Sequence, residues 1–222
     1  MDEHLKEILF PHEQAREVQT ELIKEIDSSI KNKKNLIVHA PTGLGKTAAS
    51  LPIALSHAIK NNLSVFFLTS RHTQHKIAID TLKRIKQIHN AQFVAVDLIG
   101  KKHMCPVPGI QELPSYDFTE FCKIQREENQ CEFYNNLKIL SKPSHAALKT
   151  FEALKKEAVV DVEAVVEICS KNKVCPYEMS LMLAKEAKVI ISDYYYIFNN
   201  SIRTSFFSKT NKELENSIII ID

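Results

Sequence analysis

The run Leu36-Ile37-Val38-His39-Ala40-Pro41-Thr42-Gly43-Leu44-Gly45-Lys46-Thr47 constrains this chain more than any other, because an apolar, β-branched stretch runs directly into a glycine-containing turn ending Gly-Lys-Thr. That pattern reads as a buried strand feeding a phosphate-binding loop that opens a helix. Gly43 and Gly45 supply backbone without Cβ, so the N–H groups from Thr42 through Leu44 and on to Lys46 turn inward around the β-phosphate of a nucleoside triphosphate. Lys46 is placed to reach the β and γ oxygens, the Thr47 hydroxyl to ligate Mg²⁺, and the helix beginning there adds its positive end. The strict pattern asks for glycine where this chain has Ala40.

Further strands are expected where β-branched residues cluster, at residues 64–69, 93–99, 189–192 and 217–222, besides 36–40. Helical periodicity lies between most of them. Residues 13–30 carry Leu22, Ile23, Ile26 and Ile30, residues 47–60 follow the phosphate loop, and residues 73–89 carry Ile77, Leu82, Ile85 and Ile88. Strands alternating with helices predict a parallel sheet with right-handed crossovers, an α/β fold. The rhythm breaks between Gly100 and about Glu186, where Pro106, Pro108, Pro114 and Pro143 punctuate short segments and all five cysteines lie. That block reads as an insertion.

With 222 residues, 44% of them hydrophobic, the chain can bury a sizeable core. No run of about 18 apolar residues is present, and the acidic start Met1-Asp2-Glu3 does not resemble a signal peptide. A cytoplasmic protein with no membrane partner is the expectation. The net charge of +2 hides an uneven distribution: residues 1–32 hold eight acidic and four basic side chains, residues 71–104 seven basic and two acidic. The second segment suits a polyanion or, equally, a solvated helix face bearing Lys76, Lys83, Arg84 and Lys86.

Cys105, Cys122, Cys131 and Cys175 sit beside proline, charged or amide residues, in stretches too polar for ordinary core thiols. Cys169 differs, since it completes the apolar face Val162, Val165, Val166 of a helix that Asp161 is suited to cap, and packing is its expected role. Four thiolates can hold a cubane iron-sulfur cluster, and Cys175-Pro176 has the ligand-then-proline form of ferredoxin-type runs. Intervals of 16, 8 and 43 residues contain no C-x-x-C pair, which favours the cluster over zinc. Spacing alone leaves open cysteines that bind no metal.

Together, the phosphate loop, the four-cysteine block and the terminal Ile218-Ile219-Ile220-Ile221-Asp222 resemble the XPD-like iron-sulfur DNA helicases of superfamily 2, with the bacterial DinG helicases as close relatives. The likeness runs the length of the chain. Leu9-Phe10-Pro11-His12-Glu13 with Arg16, Glu17, Val18 and Gln19 is similar to that family's adenine-recognising entry motif, and Ala40 is normal at its position there. Thr69-Ser70-Arg71-His72-Thr73 looks like motif Ia, which in the family touches the single-strand backbone. Cys175-Pro176-Tyr177-Glu178 looks like the fourth cluster ligand with its flank, and Asp161-Val162-Glu163 and Ser192-Asp193-Tyr194-Tyr195-Tyr196 also match.

The resemblance implies a RecA-like P-loop parallel sheet carrying a mainly helical, four-cysteine iron-sulfur insertion. Residues 1–100 are then the first part of helicase domain 1, 101–186 the insertion, and 187–222 the return strands ending at motif II. It implies ATP near Arg16 and Gln19, with its phosphates on residues 42–47, and Mg²⁺ held by Thr47 with Asp222 in support. It also implies a 4Fe-4S cluster on Cys105, Cys122, Cys131 and Cys175, and single-stranded or fork DNA at Thr69, Ser70, Arg71, Lys101 and Lys102. Lys46 and Asp222 are the expected catalytic residues. Family motif II reads Asp-Glu-Ala-His and the sequence ends on the first of the four, so the expectation is an N-terminal half whose partner is a C-terminal helicase half, inactive alone. Two other functions stay open: a nonenzymatic module that binds single-stranded nucleic acid through a metal-stabilised insertion, and an unrelated P-loop ATPase with a zinc-bound insertion.

Overall fold

The computed structural model describes residues 8–12, 16–41 and 43–222. Its strands are β1 (Ser64–Leu68), β2 (Ala95–Leu98), β3 (Lys138–Ile139), β4 (Lys142–Pro143), β5 (Val159–Val160), β6 (Val189–Ser192) and β7 (Ser217–Ile221). Five of them form one sheet in the order β5-β2-β6-β1-β7, every pairing parallel, while β3 and β4 make a separate antiparallel hairpin. Side chains alternate across a strand, so a parallel sheet with helices on both sides needs apolar residues at every position. The central strands supply them. Phe66 and Leu68 face one layer together with Val96, Leu98 and Ile190, and Val65 and Phe67 face the other with Ala95, Val189 and Ile191.

The second layer consists of α2 (Lys46–Lys60), contributing Leu51, Leu55 and Ala58, and α3 (His72–His89), contributing Ala78, Leu82 and Ile85. Outside α2 lies α1 (Glu17–Lys31), joined to it where Ile23 meets Ala49 and Ile53, with Leu22, Ile26 and Ile30 packed against that contact. The first layer comes from the cysteine-bearing half of the chain. There α4 (Ser115–Glu127), α5 (Glu132–Asn135), α6 (His145–Glu157), α7 (Val162–Lys171) and α8 (Pro176–Glu186) follow one another, and α9 (Tyr195–Phe198) and α10 (Asn200–Thr210) come after β6. Leu154, Val165, Cys169, Met179, Leu183 and Phe206 from these helices share one core with Phe66 and Leu68. Residues 101–186 thus cover a face of the sheet and also lend it the edge strand β5. Asp161 caps α7 as its sequence position predicts, accepting from the Ala164 N–H at 2.9 Å, and Cys169 is fully buried.

Two expectations are corrected. Residues 36–40, read as the strand entering the phosphate loop, belong to no strand, and Leu36, Ile37 and Val38 are 38, 98 and 44% exposed. An apolar run becomes a strand only beside a partner that takes up its backbone groups, and β7 forms ladder bonds with β1 alone among the described residues. On α3 the buried stripe runs through Ala78, Ile79, Leu82 and Ile85; Ile77 and Ile88, roughly 100° or more around the helix from its centre, are 47 and 51% exposed. Strand β5 and the hairpin β3–β4 escaped notice because two-residue strands carry no periodicity. The remaining expected strands are observed within two residues of their predicted ends.

Phe66 is fully buried and meets Phe206 edge-on at 6.1 Å and Phe207 at 5.9 Å. Truncating it removes a large side chain at the junction of sheet and α10, so Phe66→Ala is expected to cost about 3–5 kcal/mol in urea unfolding followed by circular dichroism.

Candidate functional site

Two glycines in the left-handed region shape the phosphate loop, Gly43 at φ 87° and Gly45 at φ 84°, the second being the N-cap residue of α2. The loop is gripped from outside by α1. The Arg16 guanidinium donates to the Gly43 carbonyl at 3.2 Å, and Gln19 Nε2 donates to the Leu44 carbonyl at 2.9 Å and to that of Gly45 at 3.5 Å. Gln19 is itself held, since its Oε1 accepts from the Arg16 backbone N–H at 3.0 Å. In a trans peptide the C=O and N–H point opposite ways, so carbonyls held by α1 turn the N–H groups of Gly45 and Lys46 to the other side, as a phosphate cradle requires, while the Leu44 N–H donates to the Pro41 carbonyl at 3.5 Å. Lys46 Nζ donates to the Ala40 carbonyl at 3.3 Å, and Thr47 is buried where α2 starts. Thr42 lies outside the described residues. Arg16 and Gln19, expected beside an adenine base, meet the loop backbone itself.

The other predicted residues gather at the carboxyl ends of the parallel strands, where α/β sheets hold their ligands. Thr69 follows β1 and is buried, donating its N–H to the Ser192 carbonyl at 3.0 Å and accepting the Arg71 N–H on Oγ1 at 3.4 Å, whereas Ser70 and Arg71 are exposed. Asp222 follows β7: its N–H donates to the Leu68 carbonyl at 3.0 Å, and its own carbonyl accepts from Tyr194 Oη at 2.5 Å. Beyond β2, Lys101 and Lys102 occupy a 3₁₀ turn, with Lys101 Nζ 5.7 Å above the Tyr177 ring. The tyrosine triplet divides three ways. Tyr194 ties down Asp222, Tyr195 is 65% exposed, and Tyr196 is buried with its hydroxyl donating to the Ile99 carbonyl at 3.0 Å.

One pair at this edge went unremarked in the sequence. His75 on α3 and Asp97 on β2 are both buried and meet Nδ1 to Oδ1 at 2.6 Å, while His75 Nε2 lies 3.3 Å from the Thr69 carbonyl. Burial works to lower the His75 pKa, but the hydrogen bond and charge of Asp97, the Thr69 carbonyl and the charge of Asp193 outweigh it, and the net shift is upward. The available signal was Asp97, a carboxylate in the middle of an apolar strand, which must find a buried partner.

The four polar-flanked cysteines come from four separate places: Cys105 after the 3₁₀ turn, Cys122 on α4, Cys131 as N-cap of α5 and Cys175 as N-cap of α8, all partly buried. Backbone bonds fasten the last two, Cys131 N–H to the Gln125 carbonyl at 3.0 Å and Cys175 N–H to that of Phe133 at 2.8 Å. They are near enough to influence one another. Burial foremost, with the charges of Cys122 and Cys131 adding, raises the Cys105 pKa; burial, then Glu178 and Cys131, pushes Cys175 up to about 11. Among the described residues no three His, Cys, Asp or Glu side chains are arranged to hold a single metal ion. Beside the cysteines opens a cleft of about 430 Å³ lined by Lys101, Thr119, Lys123, Arg126, Glu127 and Tyr134. In it the Arg126 guanidinium stacks 4.1 Å from the Tyr134 ring and donates to its hydroxyl at 2.9 Å.

A phosphate-loop helix on a parallel sheet, with a strand-end acid and a cysteine-rich helical layer, defines the RecA-like class of helicase domains. The chain belongs to the DEAD_2 family of XPD-like superfamily 2 helicases, whose model matches residues 67–222, and the DEAD/DEAH box helicase model matches residues 16–104. It is similar to the regulator of telomere elongation helicase 1 homologs of Caenorhabditis briggsae, 24% identical over 97% of this chain and 23% of the relative, and of Drosophila mojavensis, 26% identical over 82% and 17%. The chain spans less than a quarter of the length of these relatives. A solved XPD helicase shares its fold with a TM-score of 0.62 at 22% identity, over 95% of this chain and 33% of that one. A truncated XPD does so with 0.55 at 21%, over 90% and 51%.

A Cβ on Gly45 would lie 2.3 Å from Gln19 Nε2 in a backbone conformation that side chains disfavour. Gly45→Ala is therefore expected to break the grip of α1 on the loop and to cost about 1 kcal/mol or more, read as a lowered melting midpoint together with a smaller upward shift on adding ATP.

Proposed function

We propose that this chain is the ATP-binding, RecA-like portion of an ATP-dependent iron-sulfur DNA helicase of the XPD type, acting in DNA unwinding and repair. The observation that carries it is the phosphate loop, with its carbonyls fastened by Arg16 and Gln19 and its amides turned away from them. In this proposal the β-phosphate takes the amides of residues 43–46, the Leu44 N–H leaving the Pro41 carbonyl and Lys46 leaving the Ala40 carbonyl for the β and γ oxygens. Thr47 places its hydroxyl on Mg²⁺, and Asp222, at the carboxyl end of β7, supports the same metal. Because α1 holds the loop before nucleotide arrives, little backbone ordering remains to oppose binding.

DNA is proposed to run over the carboxyl edge of the sheet. Ser70 and Arg71 are exposed there beside the buried Thr69, and hydroxyl and guanidinium groups suit phosphate oxygens without reading sequence. Lys101 and Lys102 extend the positive surface toward the cysteine-bearing layer. A 4Fe-4S cluster fits Cys105, Cys122, Cys131 and Cys175: Cys105 feels the charges of Cys122 and Cys131, and Cys175 feels that of Cys131, so thiols from separate segments gather in one region. A cubane takes one thiolate on each iron, so its ligands stay apart, whereas a zinc ion draws its four donors to within about 2.3 Å of one centre. When bound, the cluster would join the segments that carry Cys105, Cys122, Cys131 and Cys175. Glu178, one turn into α8, bridges Arg126 at 3.8 Å and Lys209 at 3.2 Å, joining this layer to α10.

Rapid hydrolysis in this reaction class needs a group that orients water, an arginine aimed at the γ-phosphate, and a second domain that closes on the nucleotide. These are proposed to lie in a C-terminal helicase half, so the 222-residue chain alone binds ATP without appreciable turnover or unwinding. No helix among the described residues is long and apolar enough to cross a membrane.

Lys46→Ala is expected to abolish ATP binding in calorimetry while leaving the circular dichroism spectrum unchanged; undiminished affinity would refute the phosphate-loop assignment. Protein purified without oxygen should carry about four irons with broad visible absorption. Cys122→Ala is expected to lose them and Cys169→Ala, a core substitution, to keep them, so equal iron loss in both would overturn the ligand set.

A further inference from the structure

His75 is the one described imidazole whose two nitrogens both face oxygen acceptors inside the protein: the Asp97 carboxylate at 2.6 Å and the Thr69 carbonyl at 3.3 Å. A carbonyl can only accept, so both bonds exist together only when each ring nitrogen carries a hydrogen, that is, in the imidazolium form or with one proton shared along the Asp97 bond. Neither partner can turn to water, since His75 and Asp97 are 4 and 5% exposed. The protonated ring therefore fastens three elements at one point: α3 through His75, β2 through Asp97, and the residue that opens the loop after β1 through the Thr69 carbonyl. That loop ends in the exposed Arg71, whose carbonyl in turn accepts the His75 N–H at 3.2 Å, so the ring and the guanidinium are coupled through one turn of backbone.

We propose that the buried His75–Asp97 pair is a proton-dependent tie that holds the Thr69–Arg71 loop in the conformation that binds the phosphate backbone of single-stranded nucleic acid, so that this binding weakens as His75 loses its proton. The proposal rests on the assignment of that loop to nucleic acid. His75 is a positioning residue here, not a ligand. The charged and titratable groups facing it are Asp97 from β2, Asp193 from the segment after β6, and His72 from its own helix, whose ring centroid lies 5.8 Å away. With a folded pKa raised above the ordinary histidine value of about 6.5, the tie is fully made below that pH and is lost as pH rises through the folded value. Loss of the proton leaves one nitrogen lone pair directed at an acceptor in a buried site, which drives the ring off Thr69 or Asp97.

The test is fluorescence anisotropy of labelled oligothymidylate on the wild-type chain at constant ionic strength, scanned from about pH 5.5 to about pH 8.5 across the histidine range. Affinity is expected to fall on the alkaline side by at most about tenfold per pH unit, the limit for one linked proton. His75→Gln, which keeps a donor but cannot titrate, should flatten the profile, and Asp97→Asn, which keeps an acceptor but removes the charge, should move its midpoint to lower pH. His72→Gln should leave the midpoint unmoved. A wild-type profile matched by His75→Gln, or one abolished by His72→Gln, overturns the tie while leaving the loop's nucleic-acid role standing; absence of oligothymidylate binding at every pH overturns both. Where His75→Gln does not fold, as judged by near-ultraviolet circular dichroism, the midpoint in Asp97→Asn decides, an unchanged midpoint counting against the tie.

Discussion

The parallel pairing of β1 with β6 and β7 is the constraint on which the rest of this structure depends. A parallel sheet returns the chain through a crossover after each strand, so every strand ends at the same edge and every face must be covered by helix. β1 satisfies both demands with five consecutive buried residues. From it follow the two helical layers and the collection of Thr69, Asp193, Lys101 and Asp222 along one rim. Residues from distant parts of the sequence meet there because the backbone topology leaves them no other place.

The phosphate loop obeys a different logic. Its glycines allow the turn, yet what holds the turn is α1, whose Arg16 and Gln19 occupy the carbonyls that would otherwise compete for the inner side of the loop. The shape of the loop is held by this outside grip and by the Lys46 bond to Ala40. The exposed Leu36, Ile37 and Val38 mark the boundary of that order: the segment leading into the loop lacks a ladder partner, while β7 forms its ladder with β1 alone among the described residues. A strand is a property of a pair, and an apolar run supplies one member only.

The cysteine-bearing half shows how one stretch of chain can serve two purposes. Its inward surface, through Leu154, Val165, Cys169 and Met179, completes the core on the first face of the sheet, and beyond that core lie four partly buried thiols and a cleft edged by Lys101, Lys123 and Arg126. Cys169 and Cys175 are six residues apart and touch the same core, Cys169 fully buried within it and Cys175 packed at its margin as the N-cap of α8. Burial pushes Cys169 up to about 12, which suits a packing residue that never needs to ionise.

By itself the sequence determined the elements whose signal is local. The Gly-Lys-Thr turn, the Asp161 cap, the helical stripe ending in Cys169 and the β-branched runs at β1, β6 and β7 are each dictated by a few adjacent residues, and each is found where it was read. Only the tertiary structure decided the rest, because those features need partners far away in the chain. Whether 36–40 becomes a strand turns on a neighbouring ladder, and whether Ile77 or Ala78 faces the core turns on the helix's rotation against the sheet. Whether Arg16 and Gln19 touch loop backbone turns on the packing of α1 over α2 through Ile23 and Ile53. His75 and Asp97 are the clearest case: 22 positions apart, one on a helix and one on a strand, they carry no shared local pattern, and only burial together, with no water to satisfy either, turned them into a pair.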